Sequence, residues 1–150
     1  MRGWIIAALV ASTTPVAAQA VADRSENRAR GTRSCEIVQW HSAERTQHYG
    51  SRADSIAKFV VSRDGAVSLR FRRTLYPGSP VFMRIAGQRR SWNEASARRL
   101  DRHFLSALQR DEPFDVSYQV WPYRRDIAHT DRFQGFAAAY QTCLTHLRGT

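Results

Sequence analysis

The chain has only two cysteines, Cys35 and Cys143, and they lie near opposite ends of the sequence that follows residue 20. A bond between them would close a loop of roughly a hundred residues, which the chain-entropy model estimates to stabilise a fold by about 4–5 kcal/mol. The alternatives are two free thiols or an intermolecular bridge. Disulfides persist in oxidising compartments, so the destination of the chain decides between these alternatives.

The N-terminus has the pattern of a secretory signal. Arg2 precedes a short apolar run at residues 4–11, and an A-x-A site ends at Ala20. The alternative, an N-terminal membrane anchor, needs an apolar run of about 20 residues, and this run is much shorter. The sequence therefore predicts cleavage of residues 1–20 and export to the periplasm, or secretion, in a Gram-negative bacterium. In that setting we expect Cys35 and Cys143 to form a disulfide.

The chain is strongly basic. It contains 23 Lys and Arg against 13 Asp and Glu, and the predicted cleavage removes one arginine, which leaves a net charge of +9. Such a charge favours polyanions: lipopolysaccharide, anionic lipid or another acidic polymer. An exported protein meets these envelope components before nucleic acid, so no specific nucleic-acid partner is expected. No stretch after the signal has the length and apolar character of a transmembrane helix.

Residues 21–34 and 35–150 differ in composition. The first segment carries many charges and almost no apolar side chain, so we predict a disordered basic arm, either a spacer or a binding arm. The remainder is long enough for one globular domain with a core. The first strand is expected at residues 35–40 and a loop at 41–54.

Two hairpins follow from alternating apolar residues. Residues 56–62 and 67–71 flank Asp64 and Gly65, a dipeptide typical of tight hairpin turns. Residues 81–85 and 88–92 flank a second candidate turn at Ala86 and Gly87. Residues 114–120 alternate again, and residues 127–133 are predicted to return as another strand.

Helical spacing appears twice. Apolar residues at three- and four-residue steps from Ala97 to Leu108 predict a helix, with Ser91 or Asn93 as its N-cap. A C-terminal helix is predicted after Gly135 and up to Gly149. We therefore expect a mainly β (α+β) fold, an antiparallel β-sandwich-like domain of about six to eight short strands with two helices, one of them C-terminal.

Residues 81–143 contain a series of recognisable local motifs. Residues 81–89 read as a hydrophobic strand followed by a hairpin turn, and residues 104–111 as the end of a helix. These motifs resemble the I-D-G-K hairpin and the L-x-x-A-L helix end of invasion-associated locus B proteins. The match is closest at Gly135, Phe136 and Ala139, just before the late cysteine. Within the family motifs, Ala86 replaces an aspartate and Asp111 replaces a glycine, which makes the chain a divergent member.

The resemblance implies a small exported envelope protein, built mainly on a β-sandwich, from a family linked to host-cell invasion in some bacteria. It implies no enzymatic activity, so no catalytic residue is carried over. We therefore expect a non-enzymatic protein that binds a partner at the envelope or the host interface. The oligomeric state is left open.

The residues themselves show no catalytic motif and predict neither a metal site nor a cofactor. His129 and Asp131 would share one face of a strand, which keeps a periplasmic hydrolase or hydrolase inhibitor as an alternative. Carboxylates at Asp111, Glu112 and Asp115 are explained by helix ends and turns.

Clustered arginines are the main candidates for binding, because guanidinium groups hold phosphate or carboxylate in a bidentate manner and neighbouring aromatic rings can stack on sugars. Tyr76, Trp92, Trp121 and Tyr123 lie near these clusters in the sequence. The alternative is an ordinary solvated basic surface. The candidate residues are Arg70, Arg72, Arg73, Arg89, Arg90, Arg98, Arg99, Arg102, Arg124 and Arg125.

Overall fold

A computed structural model describes residues 19–40, 57–71, 73–93 and 98–149. These residues form eight strands and two helices, one of which is C-terminal. In chain order the elements are β1 (Gln19–Asn27), β2 (Thr32–Trp40), β3 (Ala57–Val61), β4 (Val67–Phe71), β5 (Val81–Ile85), β6 (Gln88–Trp92), α1 (Arg102–Gln109), β7 (Phe114–Val120), β8 (Arg125–Asp131) and α2 (Phe136–Arg148).

The strands form two antiparallel four-stranded sheets, which confirms the predicted fold class. The first sheet has the order β1-β2-β3-β4 and the second the order β6-β5-β7-β8. Their apolar faces meet in one core, where the ring of Phe59 on β3 contacts Phe114 at 5.8 Å, Phe133 at 4.9 Å and Phe136 at 5.4 Å between centroids. Helix α2 packs against β1 and β2. Burial of these rings is the main stabilising contribution.

Both predicted hairpins are present. Gly65 adopts φ +86° in the β3–β4 turn, and the Asp64 carboxylate accepts hydrogen bonds from the Ser62 hydroxyl and the Ala66 amide. In the β5–β6 turn, Ala86 and Gly87 both have positive φ, as a two-residue type I′ turn requires. The turn at Ala86 therefore keeps its shape without the aspartate that the resemblance led us to expect there.

The prediction of a disordered arm at residues 21–34 was wrong. Residues 19–27 form β1, which pairs with β2 over nine residue pairs, and the strand starts before the predicted cleavage point. The amide of Ala20 donates to the carbonyl of Gln134 at 2.7 Å. Backbone hydrogen bonds and contact with α2 order the segment, and neither contribution depends on the polar side chains that suggested disorder. The strand predicted to be first, at residues 35–40, is therefore the second.

The first helix begins later than its periodicity suggested. Residues 98–100 run alongside β4, where the amide of Leu100 donates to the Val67 carbonyl at 2.8 Å. Asp101 is the N-cap, and its carboxylate accepts a hydrogen bond from the amide of Phe104. Ser91 lies in β6, so the capping role predicted for Ser91 or Asn93 was wrong. Pairing with an open sheet edge outweighed the local helical pattern.

The C-terminal region has the predicted form. Cys35 on β2 and Cys143 on α2 form a disulfide with a Cα–Cα distance of 5.4 Å. Gly135, at φ +80°, joins the preceding segment to α2, and Phe136 and Ala139 are buried in the core. Positive φ is accessible to glycine without steric cost, which explains Gly135 at this joint.

Within the described ranges, neither helix combines the length and apolar character needed to cross a membrane. Three predictions fall outside these ranges: almost all of the signal segment, the loop at residues 41–54, and the binding role of Arg72.

Candidate functional site: a groove on the outer face of the second sheet

The outer face of the second sheet carries a long depression. Side chains of β7 alternate strictly, so that Val116 and Tyr118 enter the core while Asp115, Ser117 and Gln119 point outwards. Outward residues of β5, β7 and β8 line two adjoining hollows of about 470 and 440 Å³. The hollows share Phe82, Ser117 and Ala128 as their common floor, and we call the combined surface the outer groove. It also includes Tyr76, Arg84, Arg89, Asp115, Gln119, Arg124, Asp126 and Thr130.

Strand register explains why this face is concave. Phe82 pairs with Ser117, and Ser117 pairs with Ala128, so one row across three strands contains two small side chains beside a phenylalanine. Larger side chains stand in the rows on either side. The floor is therefore narrow and partly apolar, with polar walls.

Hydrogen bonds organise one end of the outer groove. The guanidinium of Arg84 donates twice to the carboxylate of Asp115, at 2.9 and 2.6 Å, and the Thr130 hydroxyl donates to the other oxygen at 2.6 Å. The Thr130 hydroxyl, and then Arg84, lower the pKa of Asp115 below its usual value. Asp115 is therefore ionised at neutral pH, and it compensates the charge of Arg84.

Two further arginines lie over aromatic rings. The guanidinium carbon of Arg89 is 4.3 Å from the Phe82 ring centroid, and that of Arg124 is 5.4 Å from the Tyr76 centroid. Cation–π contact orients the guanidinium and leaves its edge free for an anion. The ring of Trp121, which is 53% exposed, lies 5.6 Å from that of Tyr76 between centroids, and Tyr123, two residues later in the chain, is 89% exposed. Exposed aromatic rings next to oriented cations are typical of a binding surface.

The structure divides the predicted arginines into separate environments. Arg89 and Arg124 belong to the outer groove, and Arg125 follows Arg124 at the exposed start of β8. Arg90 and Arg99 instead form ion pairs with Asp101 and Asp64. The remaining exposed candidates, which lie outside the outer groove, are Arg70, Arg73 and Arg102.

Arg98 corrects the expectation of a surface arginine. It is only 8% exposed, its guanidinium carbon lies 5.2 Å from the Phe71 ring centroid, and its Nε and Nη1 atoms have no hydrogen-bond partner. Burial, and then the charge of Arg70, lower its pKa. The helical spacing placed residue 98 inside the first helix, on the side that faces away from the core. Because α1 begins only at Arg102, Arg98 is instead buried beside β4.

Arg84 was missed by sequence reasoning. Its position on β5 indicated an outward side chain, but its partner Asp115 lies on β7, beyond the whole of β6 and α1. Only the pairing of β5 with β7 shows that the two residues are neighbours. The sequence offers one signal for this pair. Arg84 and Asp115 carry opposite charges, and each occupies an outward position in a strand of alternating apolar and polar residues.

His129 and Asp131 share one face of β8, as predicted, and the structure shows that this is the inner face. Both ring nitrogens of His129 are buried without a hydrogen-bond partner, and the ring lies edge-on to Tyr118 at 6.2 Å between centroids. Asp131 instead accepts a hydrogen bond from the Gln39 side chain. Burial lowers the pKa of His129, and the charge of Asp131 opposes this effect. The described residues contain no cluster of three His, Cys, Asp or Glu side chains that could hold a metal ion.

Comparison with family models, curated proteins and solved structures gave no match. The resemblance to invasion-associated locus B proteins therefore stays a prediction, and the functional argument depends on the outer groove.

Proposed function

We propose that the protein is an exported, non-enzymatic binding protein of the bacterial envelope, as its resemblance to invasion-associated locus B proteins suggests, and that it binds an acidic polysaccharide in the outer groove. One observation carries the proposal. Arg89 and Arg124 are each held over an aromatic ring, and both rings line the same groove, whose narrow floor also contains two small side chains.

The charges in the outer groove support an anionic ligand. Arg84 is compensated by Asp115, whereas Arg89 has no carboxylate partner among the described residues. Arg124 donates a hydrogen bond to the neutral side chain of Gln119. Asp126 in turn accepts from Gln119, so its charge limits how many anionic groups can bind side by side. A polymer with a single carboxylate on each sugar suits this pattern better than one with the denser charge of a polyphosphate.

The aromatic side chains support a sugar rather than a simple anion. Trp121, which contacts the Tyr76 ring, and Tyr123, which precedes Arg124 in the chain, both expose large ring surfaces. Such rings stack on the apolar faces of sugars, while guanidinium groups bind sugar carboxylates in a bidentate manner. Together they suit a chain of sugar acids.

The test is binding of polygalacturonate to the oxidised protein at low ionic strength. An Arg89→Gln/Arg124→Gln variant should bind at least about tenfold more weakly, corresponding to about 1.4 kcal/mol or more. An Arg70→Gln/Arg102→Gln variant removes the same charge outside the outer groove, and it should bind nearly as well as the wild type. Binding should also weaken with added salt, because exposed charges are screened.

Two outcomes contradict the proposal. Equal losses in the two variants would favour the alternative of a polyanion bound by dispersed surface arginines. No binding of the wild-type protein at low ionic strength would exclude an acidic polysaccharide as the ligand.

A further inference from the structure

A second polar cleft lies between the β1–β2 hairpin and the C-terminal half of α2. It has a volume of about 540 Å³ and is lined by Arg24, Glu26 and Arg33 from the hairpin and by Thr145 and His146 from the helix. A neighbouring hollow of about 620 Å³ shares Glu26 and Arg33 and adds Arg63 and Arg148. We call the two hollows together the helix-end cleft. It shares no lining residue with the outer groove.

Arg33 forms the ridge between the two hollows. Its Nη1 donates to the carbonyl of His146 at 3.1 Å, and its Nε lies 3.5 Å from the Glu26 carboxylate. A Cβ atom added to Gly149 would lie 2.6 Å from Arg33 Nη1, so the end of α2 leaves space for this guanidinium. Arg33 thus satisfies a free carbonyl at the helix end, where a cation also complements the helix dipole. Arg33 therefore joins the β1–β2 hairpin to the end of α2 and shapes the helix-end cleft.

The remaining cations of the helix-end cleft are uncompensated. Among the described residues, Glu26 is the only acidic residue that lines the helix-end cleft, and it already pairs with Arg33. Arg24, Arg63 and Arg148 have no carboxylate partner within the described part of the chain. Three guanidinium groups around one ridge raise the local positive potential and favour a ligand with several negative charges.

We propose that the helix-end cleft binds phosphate groups of a polyanion through Arg24, Arg63 and Arg148. Its lining differs from that of the outer groove in a way that favours phosphate over sugar acids. Among the described residues it offers hydroxyl groups at Thr32 and Thr145, and it has no phenylalanine, tyrosine or tryptophan ring that could stack on a sugar. Phosphate oxygens accept from several guanidinium and hydroxyl donors at once, and dense phosphate charge matches uncompensated arginines. This inference goes beyond the proposed function and does not depend on it.

The experiment uses long-chain inorganic polyphosphate with the full oxidised protein. An Arg24→Gln/Arg63→Gln/Arg148→Gln variant should bind at least about tenfold more weakly, and the slope of log K against log salt should decrease by about 1 for each arginine removed. A control, Arg70→Gln/Arg89→Gln/Arg124→Gln, removes the same charge elsewhere and should keep nearly full binding. Vesicles of phosphatidylglycerol, compared with phosphatidylcholine, show whether phosphate on a lipid surface is bound as well as phosphate in solution.

The results separate the two proposals. Selective loss of polyphosphate or phosphatidylglycerol binding in the helix-end variant, with polygalacturonate binding retained, supports the inference. Unchanged binding in that variant, an equal loss in the control, or no wild-type binding to either phosphate probe overturns it. Because no side-chain hydrogen bond of the three substituted arginines occurs within the described part of the chain, we expect the unfolding free energy to change little. If the triple variant is unstable, Arg24→Gln alone must still weaken binding.

Discussion

The carboxylate of Asp111 accepts hydrogen bonds from the backbone amides of Gly135, at 2.9 Å, and Phe136, at 3.3 Å. Gly135 is the N-cap of helix α2, and it has no side chain to accept hydrogen bonds from the free amides of the first turn. The cap therefore comes from the segment between α1 and β7, 24 residues earlier in the chain. Asp111 itself has φ +57° and occupies the position where the resemblance suggests glycine.

Replacing Asp111 tests this cap. Asp111→Ala should lower the free energy of unfolding by about 1–2 kcal/mol, because it removes the acceptor and places alanine at positive φ. Asp111→Asn should be close to the wild type, since asparagine keeps an acceptor and tolerates this conformation. Urea denaturation measures both. Equal stability of the alanine and asparagine variants would show that the hydrogen bonds to Gly135 and Phe136 contribute nothing.

Removing the disulfide should strongly destabilise the fold. Cys35 and Cys143 are both completely buried, and their bond closes a loop with a sequence separation of 108 residues. A Cys35→Ala/Cys143→Ala variant should lose about 4 kcal/mol of unfolding free energy. The wild type in reductant should unfold at a similar urea concentration to the variant in reductant. An unchanged unfolding midpoint in the variant would contradict the stabilising role.

Asp101 should make stability depend on acidic pH. The amide of Phe104, and then Arg90, lower its pKa below the usual 3.8. The unfolded state therefore takes up the proton first, so this contribution is complete above about pH 4 and is lost as the pH falls through the folded-state pKa. Asp101→Asn keeps the helix cap without the titration. The stability difference between wild type and variant should shrink from pH 6 to pH 3; a constant difference would exclude this linkage.

His129 should add a second pH dependence, in a different window. Burial beside Tyr118 lowers its pKa below 6.5 although Asp131 opposes the shift. The unfolded state then binds the proton more readily, so stability should fall as the pH decreases from about 7 through 6.5 and level off below the folded-state pKa. His129→Leu removes this response and keeps the other four histidines. If the wild type and His129→Leu lose the same free energy of unfolding between pH 7 and 5, groups other than His129 cause the pH dependence.

A hydrogen bond from Tyr140 links α2 to the β3–β4 turn, and substitutions at its two ends test how this contact contributes to stability. The Tyr140 hydroxyl donates to the carbonyl of Gly65 at 2.7 Å, and a Cβ atom at Gly65 would lie 3.0 Å from that hydroxyl. Tyr140→Phe should cost about 1 kcal/mol of unfolding free energy. Gly65→Ala should cost more, because alanine also adopts the φ of +86° poorly. Thermal unfolding compares the two, and a smaller effect of Gly65→Ala would contradict this ranking.

Local patterns determined much of this fold. The alternation around Asp64 and Gly65 predicted the β3–β4 hairpin, and the helical spacing after Gly135 predicted α2 with its buried face. Two cysteines, together with an N-terminal pattern that predicts export, predicted the disulfide that the structure shows. Each of these inferences depends on neighbours in sequence or on a redox environment predicted from the N-terminus, and neither requires knowledge of the fold.

The tertiary structure decided which distant elements meet. Pairing of β5 with β7 brought Arg84 to Asp115, and pairing with β4 kept residues 98–100 out of α1 and buried Arg98. Backbone pairing ordered β1 although its side chains suggested disorder. Asp111 caps α2 only because the loop after α1 lies beside Gly135. In each case a backbone hydrogen bond or a packing contact between distant segments outweighed the local preference, and no local pattern in the sequence records such a contact.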